Sequence, residues 1–252
     1  MSTALHAVRA EWTKLRTTPG PAWLLLITAT VTVALGAAVS AAATCARAGC
    51  DLDAARLVLS GVYLGQAPVA VLAVLAVSGE HSTTLIRTTL TAIPNRPAVL
   101  AAKALVLAAA VAAVACLTVL ASLLAAGSVL PTGRPSLADG PVLRASAGTV
   151  AYLALIAVLS LGVAAAVRDS AAAIGTVLGL LYLPPVVTQM VSDPDLHRLL
   201  ERAAPMSAGL AVQATTDLPQ LPIGPWAGLG VLAAWSAAAL LTGTLLLRYR
   251  DT

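Results

Sequence analysis

Six long apolar runs constrain the fold of this chain more than any other feature of its sequence. Each run is long enough for a helix to cross the hydrocarbon layer of a bilayer, which takes about 20 residues. Helices are required because an open sheet would leave backbone N–H and C=O groups unpaired in lipid. We therefore predict an all-α integral membrane fold, with spans at about 22–43, 57–78, 99–130, 146–167, 171–191 and 226–247.

Composition favours a membrane fold over a soluble one. The 252 residues are 59% hydrophobic and 10% charged, whereas a soluble domain carries about 25% charged residues. The first run exceeds the roughly 7–15 apolar residues of a signal peptide and five more runs follow, so we expect it to remain as a span. The whole chain, residues 1–252, is expected to form one transmembrane domain.

The distribution of charge across the predicted loops indicates the orientation. If both termini face the cytoplasm, nine Lys and Arg residues lie inside and six outside, while four acidic residues lie inside and seven outside. Cytoplasmic loops of membrane proteins carry the excess of Lys and Arg. We therefore expect both termini in the cytoplasm. The net charge of +4 has the same explanation and does not indicate binding of nucleic acid.

The segment before the first span has the pattern of an interfacial helix. Apolar residues recur at intervals of three and four, as on one face of a helix, while the basic residues lie off that face. Such a helix lies flat in the headgroup region, a level that tryptophan also favours. The apolar face is Leu5, Val8, Trp12 and Leu15, and the basic residues are Arg9, Lys14 and Arg16.

A polar loop, GEHSTTLIRTTLTAIPNRP (79–97), separates the second and third spans and is predicted to face the cytoplasm. Its apolar residues gather on one side of a short helix that Ser82 or Thr83 can cap and that Pro94 ends. Two interpretations remain open: an interfacial anchor, or a docking element whose apolar side chains enter a groove on a partner. The apolar side is Leu85, Ile86, Leu90 and Ile93, and the other side is Thr84, Arg87, Thr88 and Thr91.

Several function classes lack their usual residues in this sequence. No GxxxxGK[ST] phosphate-binding loop occurs, so the chain is not expected to hydrolyse ATP by that route. The predicted spans carry no ionisable side chain near their centres, where an ion-coupled transporter usually has one. The three histidines lie in aqueous or interfacial segments, and no Cys/His spacing resembles a zinc site. We therefore predict no enzyme activity and no metal site.

The polar side chains inside the spans are the candidates for a translocation path. Gln66 and Gln189 are the most polar, and Tyr63, Tyr152 and Tyr182 are either further members of the path or interfacial anchors. Pro184 and Pro185 are expected to kink or break the fifth span.

The predicted outer loops hold three further features. Cys45 and Cys50 share the first outer loop and are either a disulfide or two free thiols, while Cys116 is expected to pack inside the third span. The segment 131–145 is predicted to be an irregular loop. In 192–225, Asp193 caps a helix that begins at Pro194, and the region either dips into the membrane or lies on its surface.

Two motifs resemble a known family. EWTKLRTTP (11–19) resembles the E-W-x-K-L-R opening of the membrane permeases of ABC-2 type transporters, in particular the six-span kind of actinobacteria. The loop from Glu80 to Lys103 resembles that family's E-x-x-x-G-T-[IL]-R…P-x-R…K pattern, with Thr84 and Leu85 in place of Gly-Thr. Both motifs lie at the positions in the span order that the family has.

The resemblance implies a bacterial plasma-membrane exporter subunit. Two permeases, identical or different, would each dock on a separate ATPase that binds ATP and Mg²⁺, and this chain would bind no cofactor itself. The loop would transmit ATP-driven movement, and the N-terminal helix around Trp12, Lys14 and Arg16 would lie next to the ATPase. The residues that the resemblance assigns to coupling are Glu80, Leu85, Ile86, Arg87, Leu90 and Arg96.

We therefore expect an exporter permease embedded in the lipid bilayer. Two other classes stay open. One is a non-transporting immunity or sensor protein that binds a peptide or lipid. The other is an ion-coupled carrier, which an uncoupler would stop.

Overall fold

The structure, a computed structural model, describes residues 2–43, 53–82, 96–129, 135–167 and 169–249. All regular structure in these ranges is helical. Short 3₁₀ turns occur at Ala211–Gln213 and Leu218–Gln220. The α-helices are α1 (Ser2–Thr17), α2 (Pro19–Ala42), α3 (Ala54–Leu59), α4 (Val62–Ser82), α5 (Arg96–Val129), α6 (Gly140–Val167), α7 (Ser170–Met190), α8 (Pro194–Ala203), α9 (Pro205–Leu210) and α10 (Pro225–Tyr249).

Six helical stretches in the described part of the chain are long and apolar enough to cross a membrane, which confirms the predicted number. They are Pro19–Ala42, Ala54–Gly79, Val99–Gly127, Gly140–Val167, Ser170–Met190 and Pro225–Leu246. The second stretch consists of α3 and α4, with a turn at Ser60 and Gly61 between them. The protein is therefore multi-pass by length and hydropathy.

The segment 131–145 differs from its prediction as an irregular loop. Helix α6 begins at Gly140, so the last six residues of that segment, 140–145, are helical. Pro141 occupies the first turn of α6, where the N–H that proline lacks would have no helical partner in any case. Proline there starts a helix rather than interrupting one.

Helix α6 is the centre of the bundle. It packs against α4, α5, α7 and α10. Its buried residues include Tyr152, Leu153, Ile156 and Leu161, each at most 1% exposed. Because α6 packs against four other long helices, a displacement of one of these four would change its contacts with α6.

Small residues bring α2 into close contact with α3 and α4. Thr28, Thr32, Gly36 and Ser40 follow one another at four-residue intervals on α2 and are all buried. A Cβ atom added to Gly61 would lie 1.9 Å from the backbone oxygen of Thr32. Small side chains of this kind let helix backbones approach closely within membranes, where lipid removes the hydrophobic drive between helices.

The prolines of the fifth span do not break it. Helix α7 runs continuously from Ser170 to Met190 with Pro184 and Pro185 inside. A break at that depth would leave further backbone groups without partners in lipid, so continuing the helix costs less.

The predicted cap of the outer segment is confirmed. The Asp193 carboxylate accepts hydrogen bonds from the N–H groups of Asp195 and Leu196, at 2.8 and 3.1 Å, and Pro194 begins α8. Helix α8 has no buried residue, whereas every residue of α9 except Ser207 is buried. The region 192–225 therefore contains an exposed helix followed by a short helix that is buried in the bundle.

The ends of the helices gather at two ends of the bundle. The α1 end holds α1, the start of α2, the end of α4 and the start of α5. The α8 end holds α3, α8 and the starts of α4, α6 and α10.

Candidate functional site

A buried ion pair holds α1 against α5. Lys103 Nζ lies 2.6 Å from Glu11 Oε2, and both residues are 6% exposed. Lys14 Nζ lies 3.0 Å from the other carboxylate oxygen, Glu11 Oε1. Hydrogen bonds between ionised groups are among the stronger polar contacts in proteins, and more so where water is excluded. Glu11 therefore fixes α1 to the base of the third span.

Glu11 was not among the predicted site residues. The signal was present, because Glu11 opens the first family-like motif and Lys103 closes the second. Because the two residues are 92 positions apart, no local sequence pattern indicates that they pair.

The face of α1 that turns inward is marked by Glu11 rather than by the predicted apolar stripe. Trp12, a member of that stripe, is 47% exposed. Arg16 is exposed as well, and Lys14 is half-buried. An exposed tryptophan next to basic residues is typical of a helix at the headgroup level of a membrane.

The predicted coupling loop is only partly within the described residues. Glu80 lies in the last turn of α4 and Arg96 is the first residue of α5, so the loop between them leaves and rejoins the bundle at the α1 end. The side chains of these two residues are outside the described part, as are Leu85, Ile86, Arg87 and Leu90. Cys45 and Cys50 are also outside it.

Four of the five candidate path residues meet in one hydrogen-bonded cluster. The fully buried Gln66 donates from Nε2 to the Tyr63 carbonyl oxygen at 3.1 Å. The Tyr152 hydroxyl donates to Gln66 Oε1, and the Tyr182 hydroxyl donates to the Tyr63 carbonyl oxygen at 2.6 Å. The cluster joins α4, α6 and α7, and its buried polar groups are satisfied, as the apolar interior requires.

The buried helix α9 extends this cluster. Met206 Sδ accepts a hydrogen bond from Gln66 Nε2 at 3.1 Å, across 140 residues of sequence. Three residues after α9, Gln213 Nε2 donates to the Leu59 carbonyl oxygen and to Thr149 Oγ1, each at 3.3 Å. The segment after Pro205, which is too short to cross a membrane, is thus held inside the bundle by polar contacts.

The fifth candidate path residue, Gln189, lines a cavity near this cluster. A cavity of about 250 Å³ at the α8 end is lined by Tyr63 and Gln189 together with α8 residues. His197 ties α8 to α7, because its Nδ1 lies 2.9 Å from the Thr188 carbonyl oxygen. Glu201 follows on the same helix, 3.5 Å from His197 Nε2. Gln66 does not line this cavity.

An aspartate clamps the 192–225 segment to α3. Asp53 accepts hydrogen bonds from the Thr215 N–H and hydroxyl, both at 2.6 Å, and from the Thr216 N–H at 3.2 Å. It also caps α3 by accepting from the Arg56 N–H at 3.0 Å. Burial raises the pKa of the Asp53 carboxyl, but these hydrogen bonds outweigh burial and hold the pKa below its ordinary value. Arg144 supports the same segment by donating to the Ala214 carbonyl oxygen at 2.5 Å.

The lowered pKa of Asp53 predicts a loss of stability in acid. A carboxyl whose folded pKa is depressed stabilises the fold above its unfolded pKa, about 3.9, and this contribution is lost as pH falls through the folded pKa. We expect Asp53→Asn to cost about 1 kcal/mol at pH 7, because charged hydrogen bonds at a partly exposed site are replaced by neutral ones. The difference in melting temperature between wild type and variant should shrink from pH 7 to pH 3.

Asp217→Asn is the matched control for this prediction. Asp217 has a positive φ of 51°, a conformation that asparagine also tolerates, and it lies two residues beyond Thr215 in the same loop. Its replacement should change stability at pH 7 by less than about 0.5 kcal/mol. A pH-independent difference between wild type and Asp53→Asn would contradict the assignment of the clamp to the ionised carboxylate.

Comparison with known proteins gives no identification. No protein-family model and no curated protein matches this chain. Within the described residues, no group of three or more His, Cys, Asp or Glu could hold a metal ion.

Proposed function

We propose that this chain is the membrane-spanning permease subunit of an ATP-driven exporter, and that a separate subunit hydrolyses the ATP. The observation that carries the proposal is the buried Glu11–Lys103 pair, which fixes α1 at the bundle end from which the 83–95 loop leaves. A partner that docks there reaches both α1 and the loop. The two family-like motifs, otherwise separate in sequence, then belong to one face.

The attachment of α1 is suited to transmitting force. Helix α5 begins at that end, carries Lys103 and continues for 34 residues, about 50 Å at 1.5 Å per residue. It packs against α1, α2 and the central helix α6. Movement of a partner at the base of α5 is therefore passed along a stiff helix to the middle of the bundle.

In the proposed cycle, α1 lies on the inner leaflet, both termini are in the cytoplasm and the membrane is the bacterial plasma membrane. Two permeases face each other, each above an ATPase subunit that binds ATP and Mg²⁺. Substrate enters the cleft between the permeases from the cytoplasm or the inner leaflet. Closure of the ATPases on ATP moves the two 83–95 loops toward each other and opens the cleft outward.

The polar cluster and the α8-end cavity are the proposed outer part of the path. Tyr63 belongs to both, since its carbonyl oxygen accepts the Gln66 and Tyr182 hydrogen bonds and the residue lines the cavity with Gln189. A substrate leaving through this region would meet the amide and hydroxyl groups of the cluster and the charged side chains of Arg56 and Glu201 in the cavity wall.

Purification from native membranes tests the exporter assignment. We expect a tagged chain to bring down an ATP-hydrolysing subunit, and export of its cargo to stop when ATP is depleted. Recovery without any ATPase would reject the proposal and favour the non-transporting sensor protein. Export that an uncoupler stops, but ATP depletion does not, would instead favour the ion-coupled carrier.

The docking role of the loop predicts the effect of two substitutions. Leu85→Asp combined with Leu90→Asp should reduce ATPase recovery by at least tenfold, because each carboxylate would have to be desolvated in an apolar groove. The matched control is Leu137→Asp with Leu199→Asp, two exposed leucines at the α8 end, which should leave recovery unchanged. Both variants should insert and fold normally. Undiminished recovery with the loop variant would identify the loop as an anchor.

A further inference from the structure

A second cavity lies at the α1 end, between α1, α2 and α4, with a volume of about 380 Å³. We propose that it binds one anionic phospholipid, with an acyl chain in the cavity and the phosphate beside α1. The cavity has an apolar part and, at one end, the charged groups of the ion pair. The apolar lining includes Leu15, Leu24, Leu72, Leu75 and Ala76, and the polar end holds Glu11, Lys14 and Lys103.

The shape of the lining favours a lipid over water. Leu75, in the wall of the cavity, is 44% exposed, so the cavity opens sideways onto the surface that faces the bilayer. An ordered water needs two to four polar partners, which the apolar part of the wall does not offer. An acyl chain from the surrounding bilayer needs no polar partners. The volume is also within the roughly 300–1,000 Å³ of ordinary ligand sites.

The charge around the cavity favours an anionic headgroup. The sequence of α1 holds three basic residues and one acidic residue, and the acidic one, Glu11, is buried in its ion pairs. At the polar end of the cavity two ammonium groups, those of Lys14 and Lys103, accompany one carboxylate, so the lining carries one net positive charge. Basic residues at the surface of a membrane attract anionic lipids. A zwitterionic headgroup has a smaller electrostatic attraction to this helix.

Gly79 allows the cavity to be filled without changing the packing of the bundle. It lines the cavity from α4, and a Cβ atom added there would meet no heavy atom within 4 Å. Gly79→Leu therefore places a side chain in the space proposed for the acyl chain. Gly230→Leu is the matched control, because Gly230 also has open space around it, on the exposed side of α10 and away from the cavity.

The test measures lipid bound to the purified chain. The full-length protein is taken from vesicles that contain phosphatidylglycerol and phosphatidylcholine in equal amounts, and retained lipid is counted by native mass spectrometry. We expect one phosphatidylglycerol per wild-type chain, at least fivefold less with Gly79→Leu, and wild-type retention with Gly230→Leu. Lys14→Gln, which removes a positive charge from the polar end of the cavity, should reduce the preference for phosphatidylglycerol.

Three results would overturn the proposal. They are retention of no lipid by the wild type, equal retention of both lipids, and undiminished retention by Gly79→Leu. The experiment uses this chain alone, so its outcome does not depend on whether an ATPase subunit binds.

Discussion

Gly228→Ala is expected to destabilise the protein by about 3 kcal/mol although it adds only one methyl group. A Cβ atom at Gly228 would lie 1.9 Å from the backbone oxygen of Ala208, far inside contact distance. Ala208 lies in the buried helix α9, which cannot move away easily. The next residue of α9, Gly209, is also tightly packed. A Cβ atom added to Gly209 would lie 2.7 Å from the Tyr152 ring and 3.2 Å from the Leu232 side chain.

Gly230→Ala, two residues further along the same helix, provides the control. Gly230 is exposed and an added Cβ would meet nothing within 4 Å. Replacing a helical glycine by alanine at an unhindered position stabilises by about 0.5–1 kcal/mol, because the unfolded chain loses freedom. The two variants should therefore shift the unfolding midpoint in the same detergent in opposite directions. Equal shifts would contradict the close contact between α9 and α10.

The same substitution also tests the role of α9. Displacing α9 should weaken the hydrogen bond from Gln66 to Met206 and so alter the polar cluster. If the cluster is part of the proposed path, Gly228→Ala should lower export while the ATPase subunit still binds at the α1 end. Loss of ATPase binding would show instead that the whole bundle had come apart.

The buried ion pair between α1 and α5 is expected to show a large coupling energy. Removing one member of a buried pair costs about 3–5 kcal/mol, because the other charge stays buried without it. We expect Glu11→Gln to cost about 3–5 kcal/mol, since Glu11 contacts both Lys103 and Lys14. In a cycle with Lys103→Met, the double variant should be more stable than the sum of the single effects by about 2 kcal/mol.

The size of the coupling energy between Glu11 and Lys103 distinguishes an ion pair from an ordinary polar contact between helices. Polar contacts between transmembrane helices average about 0.6 kcal/mol in such cycles. Lys14→Met serves as the internal control, because the Lys14 side chain is 41% exposed and exposed pairs contribute at most about 1 kcal/mol. A coupling for Lys103 no larger than that for Lys14 would mean that α1 is held by its other contacts. Unfolding midpoints in detergent provide all of these values.

Release of α1 should also affect the proposed partner. If α1 and the 83–95 loop form one docking face, Glu11→Gln should weaken ATPase recovery even though Glu11 itself is buried. Trp12, which is exposed next to it, would then report the change through its fluorescence.

The predictions that succeeded depend on local properties of the sequence. A helix that crosses lipid needs a continuous apolar run, so six runs gave six helices. The Asp193 cap and the start of α8 at Pro194 depend on hydrogen bonds within four residues. The start of α6 at Gly140 was missed because Pro and Gly were interpreted as loop residues, although proline is also common in the first turn of a helix.

The pairings that build the candidate site are not local. Glu11 and Lys103 are separated by 92 residues, and Gln66 and Met206 by 140. Nothing in the neighbourhood of one residue indicates the other. Gln66 was identified as unusual because it is polar within an apolar run, but its partners Tyr152 and Met206 depend on how three helices meet.

The sequence by itself determined that the chain is helical and how many of its segments are long and apolar enough to cross a membrane, because the length and polarity of lipid act on each segment separately. The tertiary structure alone decided which faces meet. In water an apolar face points inward, but in lipid both the inner and the outer faces of a helix are apolar, so hydropathy does not distinguish them. The helix faces that pack together are determined instead by close approach at glycines such as Gly61 and Gly228, and by a few buried polar contacts.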